Sequence, residues 1–251
     1  METITVMGVE IRRNGTSSTT FPGLNAPDST LAGIDCPICH NTGTITKAVD
    51  GVLWSRECEC MSKRRTMRNI RNSGLANLCE RYTFEAYKAY DGYARAVKDK
   101  AMQYATATGA DWFYICGRPG SGKTHICIAI CNTLLERGRE VKYMLWREVA
   151  PQLKSAVNDA ERYKAIMQPL KYADVLYIDD FLKGNNVTDA DVNIAFELLN
   201  FRYNNSENRT IISTERTLDD VLSIDEAVGS RIGQRSRGYI ITSPRENRRL
   251  S

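Results

Sequence analysis

Gly117-Arg118-Pro119-Gly120-Ser121-Gly122-Lys123-Thr124 has the spacing G-x-x-x-x-G-K-[ST], and its reading decides the fold. Three glycines let the backbone fold tightly enough for its N–H groups to converge on phosphate oxygens. Lys123 adds a point charge at the β and γ phosphates, the Thr124 hydroxyl reaches a magnesium ion, and the start of a helix adds partial positive charge. At ordinary residue frequencies a chance match in a chain of this size arises on the order of 1% of the time. The bland alternative is a glycine-rich turn entering a helix. Context opposes it, because apolar Trp112 to Cys116 precedes the motif and a helical pattern over Lys123 to Arg137 follows.

A phosphate loop needs an acidic partner to hold the metal and orient water. Val175-Leu176-Tyr177-Ile178-Asp179-Asp180 supplies it, an apolar run ending in two carboxylates. Asp179 is assigned to magnesium and Asp180 to the general base, although an Asp pair is also an ordinary way for a strand to meet solvent. Apolar runs at Val141 to Trp146, Thr210 to Thr214 and Tyr239 to Thr242 complete a set of five. Between them lie helical patterns. Over Val149 to Met167, Leu153, Val157, Ala160, Tyr163 and Met167 share one side; over Asp189 to Tyr203, Val192, Phe196, Leu199 and Tyr203 do so, behind a cap-like Thr188 with Asp191. Short buried strands alternating with helices imply an α/β fold with a five-stranded parallel sheet between helices.

The 251 residues carry 34 Lys+Arg against 30 Asp+Glu, a net charge of +4, with 42% hydrophobic and 25% charged residues. These values exclude a wholly disordered chain, a collagen-like rod and a disulfide-dense miniprotein. Met1 to Glu10 lacks the basic flank and apolar stretch of a secretory signal, and no run approaches a membrane span, so a cytoplasmic protein without membrane contact is expected. The expected organisation is an arm at 1–35, a cysteine module with a basic helix at 36–74, a linker and leading helix at 75–110, the sheet domain at 111–243 and a basic tail at 244–251.

Four of eight cysteines fall close together as Cys36-Pro37-Ile38-Cys39 and Cys58-Glu59-Cys60. Two thiolate pairs joined by turn-rich sequence supply the soft ligands tetrahedral zinc favours. His40 could replace one cysteine, and reduced free thiols or an iron-sulfur site remain alternatives. Cys127 and Cys131, one helical turn apart, read as packing residues, as does His125.

A zinc-type cysteine cluster, a basic stretch (Lys63, Arg64, Arg65, Arg68, Arg71), Arg81-Tyr82-Thr83-Phe84, the phosphate loop and the Ile-Asp-Asp strand end together resemble a DnaC-type replicative helicase loader of the AAA+ class. The likeness extends to Asp179-Asp180-Phe181-Leu182-Lys183-Gly184 and Ser213-Thr214-Glu215-Arg216-Thr217-Leu218, as in versions from Gram-positive bacteria and their phages. Transposition ATPases similar to IstB share much of the pattern. The resemblance implies an ATP- and magnesium-dependent ATPase that self-associates through its ATPase domain, without a C-terminal lid. It implies an arginine offered to a neighbour's γ-phosphate, Arg231 first and Arg235 second, and a sensor residue at Thr214, with Glu215 where asparagine is usual. Lys154, Arg162, Lys164 and Lys171 would touch single-stranded DNA, and the N-terminal region would grip the hexameric helicase. The rivals are an IstB-like transposition ATPase and a zinc nucleic-acid adaptor in which ATP is only a switch.

Overall fold

Side chains alternate between two faces along each central strand, and the two sets enter two separate cores. In a computed structural model describing residues 3–6, 9–12, 36–49, 52–184, 186–205 and 207–243, the chain divides into two compact units, Met1–Met67 and Arg68–Ser251.

The first unit holds two antiparallel hairpins, β1 (Thr3–Val6) with β2 (Val9–Arg12) and β3 (Thr44–Val49) with β4 (Val52–Glu57). The second hairpin separates the two cysteine pairs. At its base Cys58 N–H donates to the Gly43 carbonyl at 2.8 Å. Gly43 has φ 76°, and a Cβ there would lie 2.7 Å from Met61 Sδ, so this turn requires glycine. Helix α1 (Cys60–Ser73) starts inside the cluster and ends before Gly74, the expected stop.

The second unit continues with α2 (Ala76–Cys79), α3 (Gly92–Thr106), β5 (Phe113–Gly117), α4 (Lys123–Glu136), β6 (Val141–Leu145), α5 (Trp146–Ser155), α6 (Ala160–Tyr172), β7 (Val175–Asp179), α7 (Asp189–Asn204), β8 (Arg209–Thr214), α8 (Leu218–Ile224), α9 (Glu226–Arg235) and β9 (Ile240–Ser243). The expected five strands form one sheet in the order β6-β7-β8-β5-β9, all parallel. Phe113, Ile115, Val175, Tyr177 and Ile211 face a core shared with α3 and α4. Tyr114, Cys116, Leu176, Ile178 and Ile212 face the other, shared with α5, α6, α7 and α9. Such two-sided burial is why these strands read as continuous apolar runs.

Two helical expectations need correction. The pattern over Val149 to Met167 is not one helix: the chain turns after Ser155, and Asp159 caps α6 by accepting from Arg162 N–H. Val157, expected on the apolar side, is 63% exposed in that turn. On α7 the buried side is carried by Ile194, Ala195, Leu198 and Leu199, leaving Phe196 exposed. The Thr188–Asp191 capping box does form.

The unit boundary falls within α1. Beyond it, the Asn69 side chain donates to the Arg139 carbonyl at 3.2 Å, and Ser73 Oγ accepts from Leu75 N–H at 3.0 Å. Asn132 donates to the carbonyls of Cys79 and Tyr82, and His125 Nε2 lies 2.9 Å from the Thr83 carbonyl between the rings of Tyr82 and Tyr87. His125, Cys127 and Cys131 thus serve packing. On the other face buried Arg202 donates to the carbonyls of Leu170, Lys171, Ala173 and Arg209, tying the end of α6 to the start of β8. Among the described residues no helix is long and apolar enough to cross a membrane. The C-terminal tail and most of the N-terminal arm lie outside the described residues.

Candidate nucleotide site and cysteine cluster

β5 ends in the glycine loop, and α4 begins at Lys123. Gly117, Gly120 and Gly122 sit at φ 149°, 78° and 90°. A Cβ on Gly117 would meet Ser243 Cβ at 2.6 Å and the Ser243 carbonyl at 2.8 Å, so β9 can pair beside the loop only if this residue is glycine. Arg118 and Pro119 are exposed, and Ser121 is buried. Lys123 Nζ donates to the carbonyls of Gly117 at 2.7 Å and Arg118 at 2.9 Å. Burial pulls its ammonium below the usual lysine range, Glu215 and Asp180 act in the opposite sense, and nearby Lys183 lowers it further.

The loop and the acidic strand end meet. Thr124 Oγ1 donates to the Asp179 carboxylate at 3.3 and 3.4 Å. Asp179 also accepts from Ser213 Oγ, from Tyr143 OH at 3.3 Å and from Asp180 N–H at 3.1 Å. Tyr177 OH lies 3.1 Å from Ser213 Oγ. Thr124 and Asp179 are therefore positioned together as a hydroxyl and a carboxylate able to share one magnesium ion.

No local motif marks Ser213 or Tyr143 as a partner of Asp179, and strand alternation explains their role. Ile211 faces the α4 side of the sheet and Ile212 the other, so Ser213 faces α4 and Thr214 does not. Thr214 Oγ1 donates instead to the Phe181 carbonyl at 2.7 Å. Tyr143 pairs in register with Tyr177, on the same side as Asp179.

Past Asp179 the backbone is strained. Asp180 and Leu182 have φ 55° and 49°, a region costing non-glycine residues of order 1–3 kcal/mol each. The segment is held from several directions. Phe181 N–H donates to the Ser213 carbonyl at 3.0 Å, and Arg216 donates to the carbonyls of Leu182 at 2.8 Å and Gly184 at 2.6 Å. Lys183 Nζ contacts Asp180 at 3.1 Å and Glu215 at 2.8 Å. Burial opposes its charge, but these two carboxylates more than offset that and raise it above the usual lysine range.

Other sequence candidates lie elsewhere. Arg231 on α9 donates to Asn200 Oδ1 at 3.0 Å and the Ala227 carbonyl at 2.8 Å, and stacks over Phe196. Arg235 donates to the Ala110 carbonyl at 2.8 Å. Lys154 is paired with Asp191 at 2.7 Å and Lys171 with Glu197 at 2.6 Å, whereas Arg162 and Lys164 are exposed.

In the first unit the sulfurs of Cys36, Cys39, Cys58 and Cys60 all lie within 4.8 Å of one another. Cys36–Cys58 is 3.7 Å and Cys39–Cys60 is 3.5 Å. A tetrahedral ion with bonds of about 2.3 Å sets sulfurs roughly 3.8 Å apart, so the donor set fits such a metal. Backbone N–H groups of Cys39 and Ile38 bring the Cys36 thiol down to about 6, while burial drives Cys60 up to about 12. The sulfur set forms without His40, which is exposed. Buried Arg64 donates to Asn41 Oδ1 at 2.6 Å, and Asn41 Oδ1 accepts from Cys36 N–H at 3.0 Å, bracing the cluster from α1.

The family model described as IstB-like ATP binding protein matches residues 40–232. YqaM of Bacillus subtilis (strain 168) is 33% identical over 202 residues, 75% of this chain and 63% of that protein. XkdC, a protein of the phage-like element PBSX from the same organism, is 30% identical over 230 residues, 85% of this chain and 84% of that one. The replicative helicase loader DnaC of Escherichia coli (strain K12) is 26% identical over 194 residues, 76% of each. Among solved structures, DnaA bound to AMPPCP and single-stranded DNA gives a TM-score of 0.55 at 22% identity, over 66% of this chain and 51% of that one. DnaI gives 0.54 at 19%, over 66% and 93%. This chain thus spans just under two thirds of YqaM and about half of the DnaA chain, and the two structural likenesses carry the fold alone.

Lys123→Ala is expected to weaken ATP binding about a hundredfold, on the scale of a lost charge-assisted contact of ~3 kcal/mol. Asp179→Asn is expected to retain nucleotide while losing the magnesium dependence of binding. Titration with a fluorescent ATP analogue, with and without magnesium, reads both; parent-like binding by Lys123→Ala would remove the site. With its glycine loop, Thr124–Asp179 contact and five-stranded parallel sheet, and with the match over 40–232, the chain belongs to the IstB-like ATP binding protein family and carries an IstB/DnaC-like AAA+ ATPase domain.

Proposed function

We propose that this protein is an ATP-dependent loader of a replicative DNA helicase. The observation that carries the reading is a chain that joins a four-cysteine module to a phosphate-loop ATPase domain and is 26% identical to a replicative helicase loader over 194 residues. Bound ATP-magnesium would supply a reactive phosphoanhydride and its countercharge. The glycine loop and Lys123 would hold its phosphates, Thr124 and Asp179 the metal, and Asp180 would orient the attacking water. Arg231, on α9, is assigned to the γ-phosphate of a neighbouring copy, where guanidinium donors spread across developing charge. Thr214, through the Phe181 carbonyl, would couple the end of β8 to the segment bearing Asp180.

The N-terminal unit would grip the helicase. Ile38 and Trp54, both in that unit, are 60% and 66% exposed and so accessible to a partner. The family model favours a second reading, a transposition accessory ATPase that presents target DNA. Affinity capture of the tagged chain from its source cell separates them: a hexameric helicase is the expected companion, and a transposase in its place overturns the loader. Arg231→Ala should keep that companion and ATP while losing hydrolysis.

Single-stranded DNA would be held through phosphates. Lys154 and Lys171 are engaged by carboxylates, so Arg162 and Lys164 are expected to carry most of the contact. Binding should be sequence-independent and salt-sensitive. Replacing Arg162 and Lys164 by alanine should lower the log–log salt slope by roughly 1.4, at about 0.7 per phosphate. An unchanged slope would take both residues out of the contact.

The cysteine cluster is assigned to structural zinc, since four thiolates and no free coordination position suit a closed site. Metal analysis of freshly purified protein should find stoichiometric zinc, and Cys58→Ser should lose it together with the fold of the module. Iron, or stoichiometric free thiols with no metal, would reject zinc.

A further inference from the structure

Lys183 is a single ammonium held between two carboxylates. Its Nζ lies 3.1 and 3.2 Å from the two oxygens of Asp180 and 2.8 Å from Glu215 Oε1. Lys123 of the phosphate loop is within electrostatic reach of all three charges. Lys183 and Glu215 also line a common cavity of about 520 Å³ together with Arg216 and Asp220. The segment that presents Lys183 holds two non-glycine residues in the left-handed region and is clamped by one backbone bond to Ser213, by the Thr214 hydroxyl and by the Arg216 guanidinium. Strain that is over-determined in this way marks a side chain whose position matters.

Without Lys183, Asp179, Asp180 and Glu215 would leave three carboxylates beside Thr124 and Lys123, where the nucleotide-site reading puts the last phosphate. Like charges in a partly buried setting repel strongly, and a triphosphate brings more negative charge to that end than a diphosphate. We infer that Lys183 makes the site discriminate ATP from ADP: its ammonium neutralises Asp180 and Glu215, so that the γ-phosphate is accepted rather than repelled. The inference rests on the nucleotide-site reading above. Lys183 acts through the two carboxylates and is a positioning residue. Glu215 is the partner that makes it necessary.

The test measures Kd for ATP and for ADP, each with magnesium, on the full chain and on Lys183→Met, Glu215→Gln and the double variant. Lys183→Met is expected to weaken ATP by about tenfold and ADP by no more than about threefold, because only the triphosphate meets the uncovered charge. Adding Glu215→Gln should recover most of the lost ATP affinity, which a structural role for Lys183 would not allow. Equal losses for ATP and ADP in Lys183→Met, or no recovery in the double variant, overturn the inference. Should Lys183→Met bind neither nucleotide, Glu215→Gln alone decides: a rise in the preference for ATP over ADP supports it, and an unchanged preference overturns it. Lys123→Ala, run alongside, separates the two failures. Parent-like ATP binding there defeats the nucleotide site itself, whereas its loss together with equal effects in Lys183→Met defeats only the role of Lys183.

Discussion

One buried carboxylate organises the ATPase unit. Asp179 accepts from Thr124 on α4, Ser213 on β8, Tyr143 on β6 and the backbone of Asp180. A carboxylate only 5% exposed requires such donors, since burial without them costs several kcal/mol. The donors come from elements far apart in sequence, so Asp179 can be satisfied only when the sheet order is correct. β8 lies between β7 and β5, and the first turn of α4 must reach across it to bring Thr124 to the end of β7. The contact that fits a magnesium ion is therefore also a check on the topology.

The strand alternation that separates the two cores also sorts the site residues. Side chains on the α4 side of the sheet continue upward into Asp179 and Ser213, while those on the opposite side end at Thr214 and Cys116, which pair in register. Ligands of open α/β sheets bind beyond the carboxyl ends of the strands. Here that edge carries the glycine loop, the Asp179 hub and the strained segment through Gly184. The strain is tolerated because Ser213, Thr214 and Arg216 each fix the segment, so that distortion at Asp180 and Leu182 does not relax.

What was legible in the sequence follows from how local each signal is. The phosphate loop is contiguous, and its glycines, lysine and threonine carry their geometry with them. The cysteine pairs are legible because a short hairpin can bring them together whatever the rest of the chain does. The five strands, buried on both faces, stand out as apolar runs. The turn after Ser155 was not legible, since Ala156 and Val157 continue an apolar pattern and only the capping bond of Asp159 reveals the break. Phe196 misled because α7 is apolar around much of its circumference, and packing chooses the Ile194–Leu198 side. Ser213 could have been found by counting alternation back from the strand end. Lys183 could not, because its contact depends on left-handed residues that no periodicity announces.

The two units solve the problem of stability by different means. The second has two apolar cores on either side of a sheet, enough burial to hold a strained loop and a desolvated lysine in place. Among the described residues the cysteine module shows a small apolar cluster, made of the sulfurs themselves with Ile45. Modules of that size lack the buried area to order their own backbone and depend on cross-links or metal. Asn41 and Arg64 can orient the sulfurs, but they add little apolar burial. The proposed zinc would supply the cross-link that such a small cluster needs.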